Sequence, residues 1–274
     1  MTTAGLVLYK TPIDDVQTVL RCLLEGGIAK VYVVDNSPAD DLREMVAAFP
    51  KEIVEYTHGH GNVGYGEGNN IAIEKAVTAG SRYHIIINPD VVFDREVVAK
   101  MREYMDDHPQ VGALTPRIVN SEGELQYLCK LLPSPANLLA RRFIRFNRLT
   151  ARLNLDFEMH ASGYDKEMFV PFMSGCFIFA RAEVLDRIGG FDERYFMFCE
   201  DIDISRRINM AGSTTVYLPG AQIIHAHKRE PRKNITLDRA HMRSAITYFN
   251  RYGWFFDSYR RRTNRAALRQ FDRP

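Results

Sequence analysis

The 274 residues read as an α/β fold, a mostly parallel sheet with helices on both faces. Three observations point there. Short apolar runs alternate with amphipathic stretches through the first half of the chain. Turn-forming and acidic residues follow several of those runs, at the strand ends where open parallel sheets collect ligands. The composition, 46% hydrophobic and 26% charged, is that of a globular chain able to bury a large core.

Each element follows from its own pattern. Gly5-Leu6-Val7-Leu8-Tyr9 reads as a strand, and 13–25 as a helix with Ile13, Val16, Leu20, Leu23 and Leu24 on one face. Val31 to Val34 form a buried strand that stops at the turn Asp35-Asn36-Ser37-Pro38. A helix over 39–48, a strand over 52–57, a helix over 69–79 and a strand over 84–88 continue the alternation. The second half is less regular. A strand is expected over 111–119, a basic helix or loop over 134–150, and an apolar run over 169–180 before the turn Gly189-Gly190-Phe191-Asp192-Glu193. A helix over 200–211 and strands over 214–218 and 222–226 lead into the tail. The parse is one body, 1–230, with halves 1–110 and 111–230, and a helical tail, 231–274.

Charge divides the same way. Residues 228–274 carry 13 Lys and Arg against 4 Asp and Glu, which is +9, so residues 1–227 carry −7 of the total +2. Cys22, Cys129, Cys176 and Cys199 show no paired spacing and are expected as buried free thiols. No leader sequence or membrane-spanning stretch is evident, so a cytoplasmic protein is expected. No nucleic-acid partner is expected.

Four segments carry chemistry. Gly59-His60-Gly61-Asn62-Val63-Gly64 matches the dinucleotide fingerprint, but two β-α units precede it, the wrong place for that motif. The longer string Gly61 to Asn70 reads better as a loop that lets backbone approach a ligand. Asn88-Pro89-Asp90 follows the strand Ile85-Ile86-Ile87, where Asp90 could hold Mg²⁺ or Mn²⁺ against pyrophosphate or merely cap the next helix. Glu200-Asp201-Ile202-Asp203 puts Glu200 and Asp203 on one helical face and Asp201 elsewhere, placed to act as a general base or simply to form an acidic first turn. His225 and His227 end the last strand on a shared face. The other histidines (His58, His60, His84, His108, His160, His241) show no ligand spacing.

Taken in order over residues 4–227, these motifs resemble the family-two glycosyltransferases of GT-A fold, in their bacterial rhamnosyltransferase-like branch. Asp35-Asn36-Ser37, the Gly61–Asn70 loop, Asn88-Pro89-Asp90 in place of D-x-D, the Gly189–Glu193 turn and the Glu200–Asp203 helix carry the likeness. The resemblance implies a metal-assisted, inverting sugar transfer. In it Asp35 contacts the donor base, with Tyr9, Asn62, Gly64, Asn70 and Asn88 also on the donor side. Asp90 binds the divalent cation, His225 is a candidate contact to the metal or the diphosphate, Asp201 is the catalytic base, and Glu200, Gly175 and Lys228 are placed with the acceptor and the rest of the site. It implies dTDP-L-rhamnose as donor, with a UDP-sugar as alternative, and a saccharide or lipid-linked saccharide of a bacterial surface polysaccharide as acceptor. Two departures stand out: Asn88 replaces an acid, and Lys228-Arg229-Glu230-Pro231 stands where the family often has Gly and Ser.

Two other classes were weighed. A nucleotidyltransferase would need a glycine-rich basic loop after the first strand, and Tyr9-Lys10-Thr11-Pro12 has no glycine. A non-catalytic binding protein would be expected to lack Asp90 or the Glu200-Asp201 pair, and both are present. In the tail, Ala245, Tyr248, Phe249, Tyr252, Phe255, Phe256 and Tyr259 form an aromatic stripe beside Arg251, Arg260, Arg261, Arg262, Arg265 and Arg269. This pattern is expected to meet a membrane surface at the inner face of the membrane, a second subunit, or the protein's own body.

Overall fold

The computed structural model describes residues 1–140, 154–226 and 235–271. Four parallel strands open it: β1 (Thr2–Leu8), β2 (Lys30–Asp35), β3 (Val54–His58) and β4 (Tyr83–Ile87). Then come β5 (Val91–Phe93), β6 (Val111–Val119), β7 (Cys129–Lys130), β8 (Met168–Phe169), β9 (Phe172–Met173), β10 (Phe177–Arg181) and β11 (Thr214–His225). The main sheet runs β3-β2-β1-β4-β10-β6-β11-β5, with β8 added to β11. Pairing is parallel through β3, β2, β1 and β4 and between β6 and β11; β10, β5 and β8 run antiparallel to their neighbours. β7 and β9 form a separate two-stranded ribbon.

Strand alternation splits the core into two sides. Ala4, Leu6 and Leu8 of β1, Ile85 and Ile87 of β4, and Phe177 and Phe179 of β10 face α1 (Ile13–Glu25), the short α2 (Arg43–Val46) and α4 (Glu96–Asp107). Val7, Tyr32 and Val34 meet Ala72 and Ala76 of α3 (Tyr65–Thr78) on the other side. There Ile86, Ile178 and Ala180 join α5 (Ala182–Ile188), α6 (Glu200–Met210), α7 (Ile235–Tyr252) and α8 (Ser258–Arg269). All four cysteines are buried and free, as their spacing suggests.

Several boundaries move from their sequence-based positions. The helix expected at 69 begins at Tyr65, so half of the glycine-rich loop is helical. The helix expected over 39–48 is one turn, Arg43–Val46, preceded by Asp40, whose carboxylate accepts from Arg43 and the Tyr56 hydroxyl. The two strands expected over 214–226 are one strand, with an irregularity between Leu218 and Gln222 that passes Pro219-Gly220 without breaking the pairing to β6. The apolar run 169–180 divides among β8, β9 and β10. Of the helix expected over 134–150, a π-helical turn at Ala136–Ala140 is present and the remainder lies outside the described residues.

The tail is the largest revision. It forms two helices broken at Gly253 (φ +99°), and Ala245, Tyr248, Phe249 and Ala267 are fully buried in the second core. Arg206 of α6 lies 3.8 Å from the Tyr252 ring centre and pairs with buried Asp257 at 2.6 and 2.9 Å. Asp257 also caps α8 by accepting from the Arg260 N–H. Of the basic residues assigned to a solvated stripe, Arg251 pairs with Asp192 and Asp203, and buried Arg260 donates to the Pro133 carbonyl. Docking on the protein's own body therefore accounts for most of the stripe. Among the described residues no helix is long and apolar enough to cross a membrane.

Candidate active site

The carboxyl ends of β1, β2 and β4 and the first turns of α3 and α6 converge through a chain of hydrogen bonds. At the end of β2, buried Asp35 accepts from the Ser37 N–H at 2.9 Å and from the Tyr56 hydroxyl at 2.7 Å. Burial, and then the Asp35 and Asp40 carboxylates, push the Tyr56 hydroxyl well above its usual range, so it stays a donor. Ser37 Oγ accepts from the Lys10 N–H at 2.8 Å, joining this turn to the end of β1, where Tyr9 is about half exposed. Asn36 donates to the Gly64 carbonyl at 2.9 Å and accepts from His60 Nε2 at 2.8 Å. His58 Nε2 meets the Ser37 carbonyl at 2.9 Å. His58 and His60, read as ordinary from their spacing, thus brace this turn.

Gly64 explains the entry to α3. Its φ is +95°, and a Cβ there would lie 2.3 Å from the Phe196 carbonyl oxygen. That same carbonyl accepts from the Tyr65 N–H at 3.0 Å. Only glycine permits this approach. Asn62 is exposed and accepts from the Gly64 N–H. Asn70 points elsewhere: its amide donates to the Phe191 carbonyl and Glu193, and accepts from the Phe191 N–H at 2.7 Å. It ties α3 to the Gly189–Glu193 turn.

Tyr65 reaches across the site, its hydroxyl donating to the Gly175 carbonyl at 2.7 Å. The Gly175 N–H donates to Asp201 Oδ2 at 3.3 Å, and the next carbonyl, Cys176, accepts from the Asn88 N–H at 2.9 Å. The loop between β9 and β10 therefore links the turn after β4 to the first turn of α6. Burial, then the Asp90 and Asp201 charges, push the Cys176 thiol up to about 12, which places both carboxylates beside it.

Phe198 and Cys199 both adopt positive φ, 68° and 65°, immediately before α6. Two consecutive non-glycine residues in that region are costly and cluster at functional sites. The kink aims three acids in three directions. Asp203 is fully buried and held by Arg207 (2.5 Å), Arg251 (3.2 Å) and the Tyr252 hydroxyl (2.7 Å). Glu200 is buried, its Oε2 has no hydrogen-bond partner among the described residues, and burial followed by the Asp201 charge raises it far above the usual carboxylate range. Asp201 is partly buried and its proton affinity is raised by desolvation, while the Gly175 amide and the Lys130 charge lower it. Helical periodicity had put Glu200 and Asp203 on one face, but their surroundings differ completely.

At the other end, His225 Nε2 is 3.4 Å from Asp90 Oδ1, and the Ala226 N–H donates to the Asp90 carbonyl at 2.9 Å. Gln126 fixes the ring. Its Nε2 donates to the His225 carbonyl at 2.8 Å, so its Oε1 accepts from His225 Nδ1 at 3.1 Å. In the neutral ring that tautomer turns an Nε2 lone pair toward the Asp90 carboxylate. Two electron-rich atoms facing one another suit a shared cation. Among the described residues no three His, Cys, Asp or Glu side chains gather into a metal cluster. His227 and Lys228 lie outside the described residues. Lys130 and Gln126 join the site without a motif to announce them, and Tyr65 joins it from inside the glycine string.

The chain matches the family described as "Glycosyltransferase like family 2" over residues 17–246. It belongs to that family. The N-acetylglucosaminyl-diphospho-decaprenol L-rhamnosyltransferase of Mycobacterium tuberculosis is 29% identical over 245 residues, covering 82% of this chain and 76% of that protein. Rhamnosyltransferase WbbL of Escherichia coli is 24% identical over 228 residues, covering 81% and 82%. Among solved structures, GalNAc-T7 with UDP, GalNAc and Mn²⁺ superposes with a TM-score of 0.63 at 14% identity, over 92% of this chain. The chain spans half the length of that protein. The fold of this glycosyltransferase is GT-A, a mostly parallel sheet flanked by helices. The nucleotidyltransferase and non-catalytic alternatives give way to the family assignment.

Proposed function

We propose that this transferase moves L-rhamnose from dTDP-L-rhamnose to a hydroxyl of a saccharide acceptor, with inversion at the anomeric carbon. The observation that carries this reading is Asp201. Its partly exposed carboxylate has a raised proton affinity, and one oxygen is anchored by the Gly175 N–H. In this reading Asp201 takes the acceptor's proton as the acceptor oxygen attacks the anomeric carbon and the nucleoside diphosphate leaves. Burial, and then the Asp201 charge, push the Glu200 carboxyl well above the usual carboxylate range, which favours its neutral form beside Asp201. With a single base and no nucleophilic carboxylate opposite it, one displacement inverts the centre.

On the donor side we assign the base to Asp35 and the surface bordered by Tyr9, Asn62 and Gly64, with Asn88 near the diphosphate. Asn70 is assigned to holding the α3 entry, since its amide is engaged with Phe191 and Glu193. Asp90 and His225 fit a Mg²⁺ or Mn²⁺ ion whose remaining ligands come from donor phosphates; when bound it would offset the charge of the leaving diphosphate. The solved relative that contains Mn²⁺ supports a divalent cation. The diphospholipid named for the Mycobacterium relative supports a lipid-linked acceptor.

The test is a panel of dTDP-, UDP- and GDP-sugars with Mg²⁺ or Mn²⁺, read as nucleoside diphosphate release, with the anomeric configuration of the product read by NMR. Release from dTDP-rhamnose with inversion is the expected result. A clear preference for a UDP-sugar would keep the chemistry and replace the donor; a retained configuration would remove Asp201 as sole base.

A further inference from the structure

The turn between α7 and α8 and the outer face of α8 form a surface that the transfer reaction does not use. Phe255 and Phe256 stand 71% and 87% exposed on that turn, the two most exposed large apolar side chains of the described residues. Along α8, Arg260, Thr263 and Ala267 are buried, and the opposite positions Arg261, Arg262, Arg265 and Arg269 are exposed. The helix contains no acidic residue, and none of these four arginines forms an ion pair among the described residues. The two features are continuous: Arg261 donates to the Phe255 carbonyl at 3.4 Å, and an open groove of about 720 Å³ is lined by Phe256 together with all four arginines.

Like charges at three- and four-residue spacing repel unless counter-charges come from outside the chain. Two adjacent exposed phenylalanines gain nothing from a soluble polyanion, whereas an apolar layer would cover them. One surface supplies both. We propose that this face docks the protein on a bilayer containing anionic phospholipids, with Phe255 and Phe256 entering the headgroup boundary and the arginines lying against lipid phosphates. The rest of the aromatic stripe is consumed by the protein's own core, so the contact is small, peripheral and salt-dependent. The proposal is independent of donor and acceptor identity: none of these side chains belongs to the Asp35, Asp90 and Asp201 constellation.

Flotation of the full chain with vesicles tests it. Vesicles of phosphatidylcholine mixed with phosphatidylglycerol should carry the protein at low salt and release it at high salt, while phosphatidylcholine alone should not carry it. F255S/F256S and R261Q/R265Q should each lower the bound fraction, the arginine pair by on the order of 10-fold in partition coefficient. Both variants should keep the thermal stability and the diphosphate release of the parent, which separates a lost surface from a lost fold or a failed reaction. Flotation on phosphatidylcholine alone, no flotation on the anionic vesicles, or binding that neither variant weakens would overturn the proposal. So would a concentration-dependent dimer abolished by F255S/F256S with no vesicle binding, which would make the face a contact between copies.

Discussion

Glu200 and Asp201 are consecutive acids at the first turn of α6, the first buried with one carboxylate oxygen unpartnered among the described residues, the second partly exposed and anchored by the Gly175 N–H. Both are raised by burial, but Asp201 alone has the Gly175 amide and Lys130 to favour its charge. The pH profile of transfer should show it. A base must be ionised, so kcat falls as pH drops through the raised Asp201 value, and that limb lies above the ordinary aspartate range near 4. Lys130→Gln removes a cation that lowers Asp201 and should move the limb to higher pH. Glu200→Gln is isosteric with the protonated acid and should leave it in place. A Lys130→Gln profile identical to the parent's would show that Lys130 has no part in tuning the base.

Asp201→Asn should reduce turnover by on the order of 10²–10⁴-fold. Affinity for dTDP, measured by calorimetry, should stay near that of the parent, because the substitution removes a base and keeps the amide contact to Gly175. Near-normal turnover would exclude Asp201 as the base.

Asp90→Ala and His225→Ala should each weaken nucleoside diphosphate binding in the presence of Mn²⁺ and have little effect in its absence. Chelation of the parent should reproduce the loss. Gln126→Ala frees the His225 ring and should cost on the order of 10-fold in Mn²⁺ affinity, as loss of an orienting partner does. Activity that survives thorough chelation would leave charge neutralisation to cationic side chains.

The Arg206–Asp257 pair makes a stability prediction. Asp257→Ala leaves a buried guanidinium without its partner and should cost about 3–5 kcal/mol. In a chain of this size that corresponds to a drop in Tm of roughly 10 °C. Burial opposes the charge on Asp257, but the Arg206 bonds win and hold the carboxyl below its usual value. Its stabilising effect is therefore complete above the ordinary carboxylate range and disappears as pH falls through the depressed value. Thermal unfolding of parent and variant should converge in acid.

What could be read from the residues depended on how local the information was. The first four strands are parallel, the first three each followed by a helix, and the apolar periodicity that marks them lies within short windows. Asp35, Asp90 and Asp201 stood out because they occur together in the order of the family's motifs, although each alone could cap a turn or helix. The start of α3 at Tyr65 was hidden because glycines and asparagines, poor helix formers in isolation, are held helical by packing against Phe191 and Val7. Gln126 lies 99 residues from His225, and no local pattern marks so distant a partner. The sequence left the partner of the tail open for the same reason: an aromatic stripe looks alike whether it faces lipid, another subunit or its own core.

Arg206 and Asp203 give the C-terminal helices a role in the timing of folding. β1, β2 and β3 can pair as they are made, each within about thirty residues of its neighbour, and β4 joins β1 about eighty residues on. The helix carrying Asp201 cannot settle in that order. Its buried arginine and buried aspartate meet their partners, Asp257, Arg251 and Tyr252, only after some fifty more residues have been synthesised. On the ribosome, the half proposed to bind the nucleotide would therefore be in place first, and Asp201, the proposed base, would take its position last. A nascent chain paused before residue 257 should bind nucleoside diphosphate without being able to transfer the sugar.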